Sequence, residues 1–354
     1  MGDNSAMQFD IVIVGGGLAG LALAAGLRRS SLSVALVEGR APASVAGWDS
    51  RIYAISPANA RFLESIGAWR HLDPVRMQAV SAMEVHGDAG GRLDFNAYDC
   101  GAGELAWILE SSLMQLELWE TAKRQGNLHL HCPARPIRLE FDAAAVRLAL
   151  EDGRELSARL VVAADGADSW TRAAAGIDVH FNPYDQLGVV ANFTVERPHY
   201  GVAFQWFRRD GILAWLPLPG ERISMVWSTP TAHGRELLEL AGDELCARVA
   251  DAGGGRLGRF EALTPAAGFP LRLMRAPRAV GPRLALIGDA AHTIHPLSGH
   301  GINLGFQDAC VLAEVLCAKP GYIDCGDSAL LRSYERARKE EVVALQAVTD
   351  GLHG

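Results

Sequence analysis

Lysine is almost absent from this chain. Of 33 basic residues only Lys123, Lys319 and Lys339 are lysine, and the rest are arginine, a compositional bias rather than a site. Positive charge is not in excess either. The formal net charge is −8, so no basic field favours a nucleic-acid partner. Cysteine is sparse: six are present, none forms C-x-x-C, and the spacings suggest neither a zinc site nor a disulfide framework. A reducing, cytoplasmic compartment follows as the default. No basic leader precedes the apolar run Ile11–Leu27, where Asp3 stands instead, and no transmembrane segment is expected. Met1–Gln8 is expected to be disordered.

What is present is a soluble globular composition, 49% hydrophobic and 21% charged over 354 residues, enough for two domains or one large one. The chain is organised around Phe9–Arg29. Ile11-Val12-Ile13-Val14 reads as a strand buried on both faces. Gly15-Gly16-Gly17-Leu18-Ala19-Gly20 follows as G-x-G-x-x-G, and Leu21–Arg29 has the composition of a helix. Gly15 permits a tight turn, Gly17 lets backbone approach a pyrophosphate, and Gly20 lets helix and strand pack closely. Amides at the helix start then face the anion. A second apolar strand, Val34–Val37, ends in Glu38, placed to hold a ribose hydroxyl. Together these read as a dinucleotide site.

Two further strand ends carry short strings. Leu160–Ala163 leads into Asp165-Gly166, with Ser169 and Arg172 opening a helix. Asp165 alone reads as a structural cap; the whole D-G-x-x-S-x-x-R string is more specific. Leu284–Ile287 leads into Gly288-Asp289, then Pro296, Gly299, His300, Gly301 and Asn303. The proline stiffens that loop and the glycines allow backbone close to a planar ring. Leu304–Leu316 reads as a helix. Arg51, just before a helix at Pro57–Ile66, could serve a cofactor phosphate or a surface salt bridge. His292, His295 and His300 with Asp289 resemble metal ligands, but the glycine and proline constraints argue against a metal.

Between these strings, Gly188–Trp227 reads as closely spaced antiparallel strands, and Ala232–Gly254 as helical. Trp206, Phe207, Trp215 and Trp227 concentrate there. Such a stripe reads as core, with a substrate-facing role as the alternative.

Taken together, the three strings resemble those of the FAD-dependent aromatic hydroxylases of the p-hydroxybenzoate hydroxylase type, most closely the ubiquinone-biosynthesis hydroxylases. Asp49-Ser50-Arg51, Phe181–Gln186, Pro198-His199, Trp215–Leu218 and Gly288–Asn303 support this, and the resemblance runs from Phe9 to Leu352. It implies an α/β fold: a Rossmann-type, GR2-like FAD-binding domain from 1–70, 106–176 and 281–354. A β-rich substrate domain is inserted from 71–105 and 177–280. It places FAD on Gly15, Gly17, Ala19, Gly20 and Glu38, with Arg51, Asp165, Asp289, Pro296, Gly299, Gly301 and Asn303 along its length. NAD(P)H is the implied transient reductant. The implied activity is hydroxylation of an aromatic ring by O2 through a flavin C4a-hydroperoxide, with a polyprenylated phenol as substrate. No catalytic nucleophile is assigned; Pro296, His300, Tyr184 and His199 are the catalytic candidates, the last three for assisting phenol deprotonation, with a structural or pocket-lining role as the alternative. The implied partners are the aromatic substrate and O2, with peripheral membrane or biosynthetic-complex contact and a homodimer as further expectations. A hydroxylase of a soluble phenolic compound, or a non-catalytic flavoprotein subunit, stands as the alternative. Halogenation would need a substrate-side lysine, and none of the three lies in a pocket-forming stretch. Two departures stand out: His300 replaces a glutamine, and Glu110 is followed by Ser111-Ser112 without the usual arginine. The chain stops at Gly354, where relatives continue into a segment on the substrate or membrane side.

Overall fold

The computed structural model describes residues 7–44, 46–99, 101–293 and 300–351, the side chains of 182, 183, 300 and 341–351 excepted. Its first sheet is built on the strand Met7–Val14, which pairs in parallel with Val34–Val37 on one side and Glu155–Ala163 on the other. Leu128–His131 and Leu284–Leu286 extend it outward, again in parallel. The order of these strands therefore runs in opposite senses on the two sides of Met7–Val14. A crevice forms at the strand C-termini where such a reversal occurs. Met7 and Gln8, expected in the disordered leader, instead pair with Leu156 and Ser157.

Successive residues of a strand face opposite sides, and the core divides accordingly. Ile11 and Ile13 join Leu21, Leu36, Phe306 and Tyr334 in one buried cluster. Val12 and Val14 join Val37, Val161 and Leu148 in another. Helix Leu18–Gly26 lies against helix His300–Ala318, which begins four residues earlier than its composition suggested. Small residues set how closely they approach: a Cβ on Gly26 would lie 2.9 Å from Ala313 Cβ. Gly301–Ala318 is long and apolar enough to cross a membrane by length and composition, and half of it is buried inside the protein.

A nine-stranded sheet forms the second layer. Its order is His292–Thr293, Ala267–Arg275, Phe181–Val195, Arg222–Pro230, Gly211–Leu218, Val202–Arg208, Ala82–His86 and Arg92–Asn96, with Phe260–Ala262 also on Phe181–Val195. The tryptophans of the stripe are core, while Phe207 is half-buried and outside that cluster. Trp215 and Trp227 are fully buried with Phe193 and Phe260, and Trp206 packs against them. The region expected as one helical stretch is two helices, Thr231–Glu239 and Gly242–Ala252, separated by extended backbone at Leu240 and Ala241. They cover the aromatic face and leave the other face of the sheet to line a cavity. A third, three-stranded sheet joins Ile52–Ile55, Ala106–Glu110 and Gln78–Val80.

Candidate functional site

The glycine turn after the first strand is forced by backbone crowding. Gly15 has φ +112°, and a Cβ there would lie 2.4 Å from the carbonyl oxygen of Ala164. Gly20 lies beneath it, where a Cβ would meet the Gly15 carbonyl oxygen at 2.0 Å. Gly17 differs, since a Cβ would meet nothing within 4 Å. Helix Leu18–Gly26 starts there without a side-chain cap, so its first amides are left for a ligand. Glu38 holds the turn through Oε2, which accepts from the Gly16 N–H at 2.6 Å. Gln115, a residue with no sequence signal, donates to the Gly16 carbonyl at 2.9 Å.

The second string is a clamp between two strand ends. Asp165 accepts from Ser169 Oγ, from the Thr171 N–H at 2.9 Å and from Thr171 Oγ1 at 2.9 Å. Ser169 in turn caps the Arg172 N–H at 2.9 Å. The buried Arg172 guanidinium then donates to the carbonyls of Ala167 at 2.8 Å and Ala290 at 2.9 Å. It thereby fastens this turn to the third string.

The third string rests on a buried ionic group. Asp308 Oδ2 accepts from the Gly288 N–H at 2.9 Å and bonds His292 Nε2 at 2.7 Å; Oδ1 accepts from Arg338 Nε at 2.7 Å. Burial opposes charge on both Asp308 and His292. Their mutual attraction and hydrogen bond outweigh it, with Arg338 also favouring the carboxylate, so Asp308 sits below the usual carboxyl range and His292 above the usual imidazole range. The histidine weighed as a metal ligand is thus the carboxylate's partner. Above this group Asp289 faces the cavity. Burial pushes its carboxyl up, with His292 and Arg51 opposing and Asp308 adding. Gly288 takes φ +58° and sits against Ala19 and Gly305, two more small residues.

One cavity of about 1240 Å³ joins the three strings. Gly15, Gly17, Ala19, Glu38, Arg51, Asp165, Asp289, Gly301 and Asn303 all line it. Gly20 and Tyr184 are not among the described lining residues, and Gly20 acts by letting helix and turn meet. Asn303 lines the cavity but its amide holds the framework: it accepts from the Ser56 N–H at 2.9 Å and Asn59 Nδ2 at 2.7 Å, and donates to the Ala54 carbonyl at 2.7 Å. Pro296, Gly299 and the side chain of His300 lie outside what is described. The arginine missing after Glu110 leaves no unpaired carboxylate, because Arg76 reaches Glu110 at 2.6 and 2.8 Å. Tyr53 also lines the cavity, and burial raises its phenol above the ordinary range.

His199, one of the catalytic candidates, sits in the framework as its structural alternative has it. It is buried outside the described lining, its Nδ1 accepts from the Gly201 N–H at 3.0 Å, and Nε2 faces the carbonyls of Leu218 and Gly220 at 2.8 Å each. His199→Ala is expected to cost about 1–3 kcal/mol of stability by orphaning those groups. Turnover per folded molecule should stay unchanged; denaturant melts alongside steady-state rates decide it.

The cavity fits FAD. A glycine turn open at Gly17, uncapped helix amides, a carboxylate at Glu38 and the Arg51 guanidinium lie along one trough. Arg51 lines the cavity, and its charge acts on Asp289. At the far end the walls come from the second sheet. Its edge is tied across by Arg272, which donates to Asp168 at 2.7 Å and lies over the Phe181 ring at 4.2 Å.

A profile of the FAD binding domain family matches residues 8–349. The ubiquinone hydroxylase UbiL of Rhodospirillum rubrum is 36% identical over 347 residues, 97% of this chain and 80% of that protein. The 3-demethoxyubiquinol 3-hydroxylase of Escherichia coli is 34% identical over 345 residues, 96% of this chain and 88% of that protein. Among solved structures, Pseudomonas aeruginosa PqsL in complex with 2-aminobenzoylacetate matches the fold with a TM-score of 0.84 at 24% identity, covering 98% of this chain and 96% of that one. The trough and these matches lead to one assignment: the chain belongs to the FAD binding domain family and is an FAD-dependent aromatic-ring monooxygenase.

Proposed function

We propose that this chain hydroxylates the ring of a polyprenylated phenol in ubiquinone biosynthesis. The observation that carries the proposal is the continuity of the FAD trough with a chamber walled by aliphatic side chains, among them Val80, Met83, Ile212, Leu216 and Val226. Relatives more than 30% identical over nearly the whole chain are named for ubiquinone hydroxylation, which supports the same reading.

In this reading the inserted sheet, residues 71–105 and 177–280, holds the substrate, and 1–70, 106–176 and 281–354 hold FAD. Gly15 and Gly17, with the uncapped amides that follow them, take the pyrophosphate, and Glu38 takes the adenosine ribose. Asp289 and Arg51 flank the ribityl and phosphate region, and Gly301 lies beside the ring. Asp165 keeps the turn next to the cofactor in place, where a nicotinamide donor would approach. Bound and reduced by such a donor, FAD supplies oxygen activation and transfer to the ring. The chain's own part is to orient the phenol and keep bulk water from the chamber through its aliphatic walls. The same reading places the protein in the cytoplasm, in peripheral contact with the membrane or complex that presents a prenylated substrate.

The test has two arms. Purified holoprotein given NADH or NADPH and a short-chain prenylated phenol under ¹⁸O₂ should yield a ring-hydroxylated product carrying one labelled oxygen. The gene should also restore quinone synthesis to a strain lacking the corresponding hydroxylase. Turnover of simple phenolic acids with no activity on prenylated phenols would reverse the substrate assignment.

A further inference from the structure

The strands Val202–Arg208, Gly211–Leu218 and Arg222–Pro230 of the second sheet line the chamber with aliphatic residues and two polar ones. Strand alternation sends Phe204, Trp206, Leu213, Trp215, Met225 and Trp227 to the covered face. It sends Ala203, Gln205, Ile212, Ala214, Val226 and Ser228 to the chamber. Gln205 is 8% exposed and Ser228 is 2% exposed. Neither side chain makes a hydrogen bond to any described residue, and neither is sealed away from the cavity. The register fixes their separation. Gln205 pairs with Ala214, Ala214 with Val226, and Ile212, two residues along, with Ser228. The two polar groups thus stand on one wall two strand spacings and two residues apart, about 12 Å between Cα atoms.

A buried polar group without a partner is costly, and the usual resolution is a ligand or water that completes it. Water alone would find few other polar atoms on this wall. The chemistry of the pair also selects. A glutamine amide offers two donors and an acceptor, and a serine hydroxyl offers one donor and acceptor sites, all without charge. None of the lining residues from the strands between 181 and 230 is cationic. The lining arginines sit elsewhere: Arg51 beside Asp289, Arg135 after the strand Leu128–His131, and Arg272 paired to Asp168. A carboxylate on the ring would meet no counter-charge here.

The geometry points to Gln205 and Ser228 as contacts that recognise neutral oxygen substituents at separate positions on the substrate ring, hydroxyl, methoxy or quinone oxygens, and so set which ring edge faces the cofactor. The inference rests on the substrate reading above and sharpens it, since these contacts favour neutral phenols over phenolic acids. It predicts selectivity rather than overall stability, because no protein partner is lost when either side chain is removed.

The probes are 2-farnesylphenol and its deoxy analogue farnesylbenzene, in detergent, with binding to FAD-loaded protein read from perturbation of the flavin spectrum. Wild-type protein should prefer the phenol by about tenfold to hundredfold, the range expected for one or two completed hydrogen bonds in a buried site. Gln205→Leu should lose most of that preference while keeping FAD content, thermal midpoint and affinity for the deoxy compound. Ser228→Ala should lose part of it, and the product of Gln205→Leu should scatter over ring positions. A wild-type preference that survives in the double variant, or tighter wild-type binding of 4-hydroxybenzoate than of the phenol, overturns the proposal while leaving the enzyme assignment intact. Failure of wild-type protein to bind either farnesyl compound overturns the substrate reading, and this inference with it.

Discussion

Replacing Asp308 by asparagine lowers folding stability by about 3–5 kcal/mol and loosens FAD, the largest loss expected from any single exchange of similar size. The carboxylate is 1% exposed and holds Gly288, His292 and Arg338 together. Asparagine keeps the shape but removes the negative charge that faces the Arg338 cation, itself 4% exposed. The turn carrying Asp289 then loses its anchor. The pH dependence has two signs. Asp308 is held below its unfolded value of about 3.9, so its contribution is complete above that value and is lost as pH falls through the folded one. His292 is held above its unfolded value of about 6.5, so its contribution is complete below that value and is lost as pH rises through the folded one. The gap between wild type and Asp308→Asn should therefore be widest between about pH 4 and 6.5 and narrow on either side. Denaturant melts across that range measure it; a gap independent of pH would show that the two groups do not titrate as a pair.

The second large effect separates two neighbouring glycines. Gly15→Ala should all but abolish FAD retention and lower apoprotein stability. Alanine at φ +112° is strained, and its methyl group would press on the Ala164 carbonyl at 2.4 Å. The first strand, the switch point and the helix start would all have to shift. Gly17→Ala should leave the apoprotein melting temperature near wild type, because its methyl group would meet no protein atom. That methyl projects into the trough and should still weaken FAD by about tenfold or more, the cost of a misfit methylene or an unmade hydrogen bond. Reconstituting apoprotein with FAD and following flavin fluorescence, beside thermal melts without FAD, distinguishes the two. Equal melting temperatures for both variants would show that Gly15 is not conformationally obligatory.

Each of the three strand-end strings was legible because its chemistry is local. G-x-G-x-x-G needs only adjacent residues to declare a tight turn, and Asp165, Ser169 and Arg172 declare a capped helix start. The strands of Gly188–Trp227 were legible from alternation and turns. Pro136–Phe141 was not read as a strand, since its residues are largely exposed and carry no apolar period. Met7 and Gln8 were missed for a similar reason: pairing with Glu155–Ala163, not their own composition, makes them strand. The sequence did not decide which face of the second sheet was core, because both faces carry apolar residues. Tryptophan drew attention to the face that proves to be packed.

The site divides along the same line. Local backbone chemistry made Gly15, Gly17 and Glu38 recognisable as dinucleotide positions, since a short motif carries its geometry with it, while Asp289 was placed by the family resemblance. Nothing local marks Gln115, Tyr53, Gln205, Ser228 or the Asp308–Arg338 pair. Their meaning comes from segments distant in sequence, as when Gln115 reaches the Gly16 carbonyl 99 residues away. His199 shows the converse, a suggestive residue whose backbone partners at Leu218 and Gly220 give it a framework role. Chain-local rules govern φ, caps and strand faces; which polar groups meet, and which are left facing the chamber, is settled only when distant segments pack.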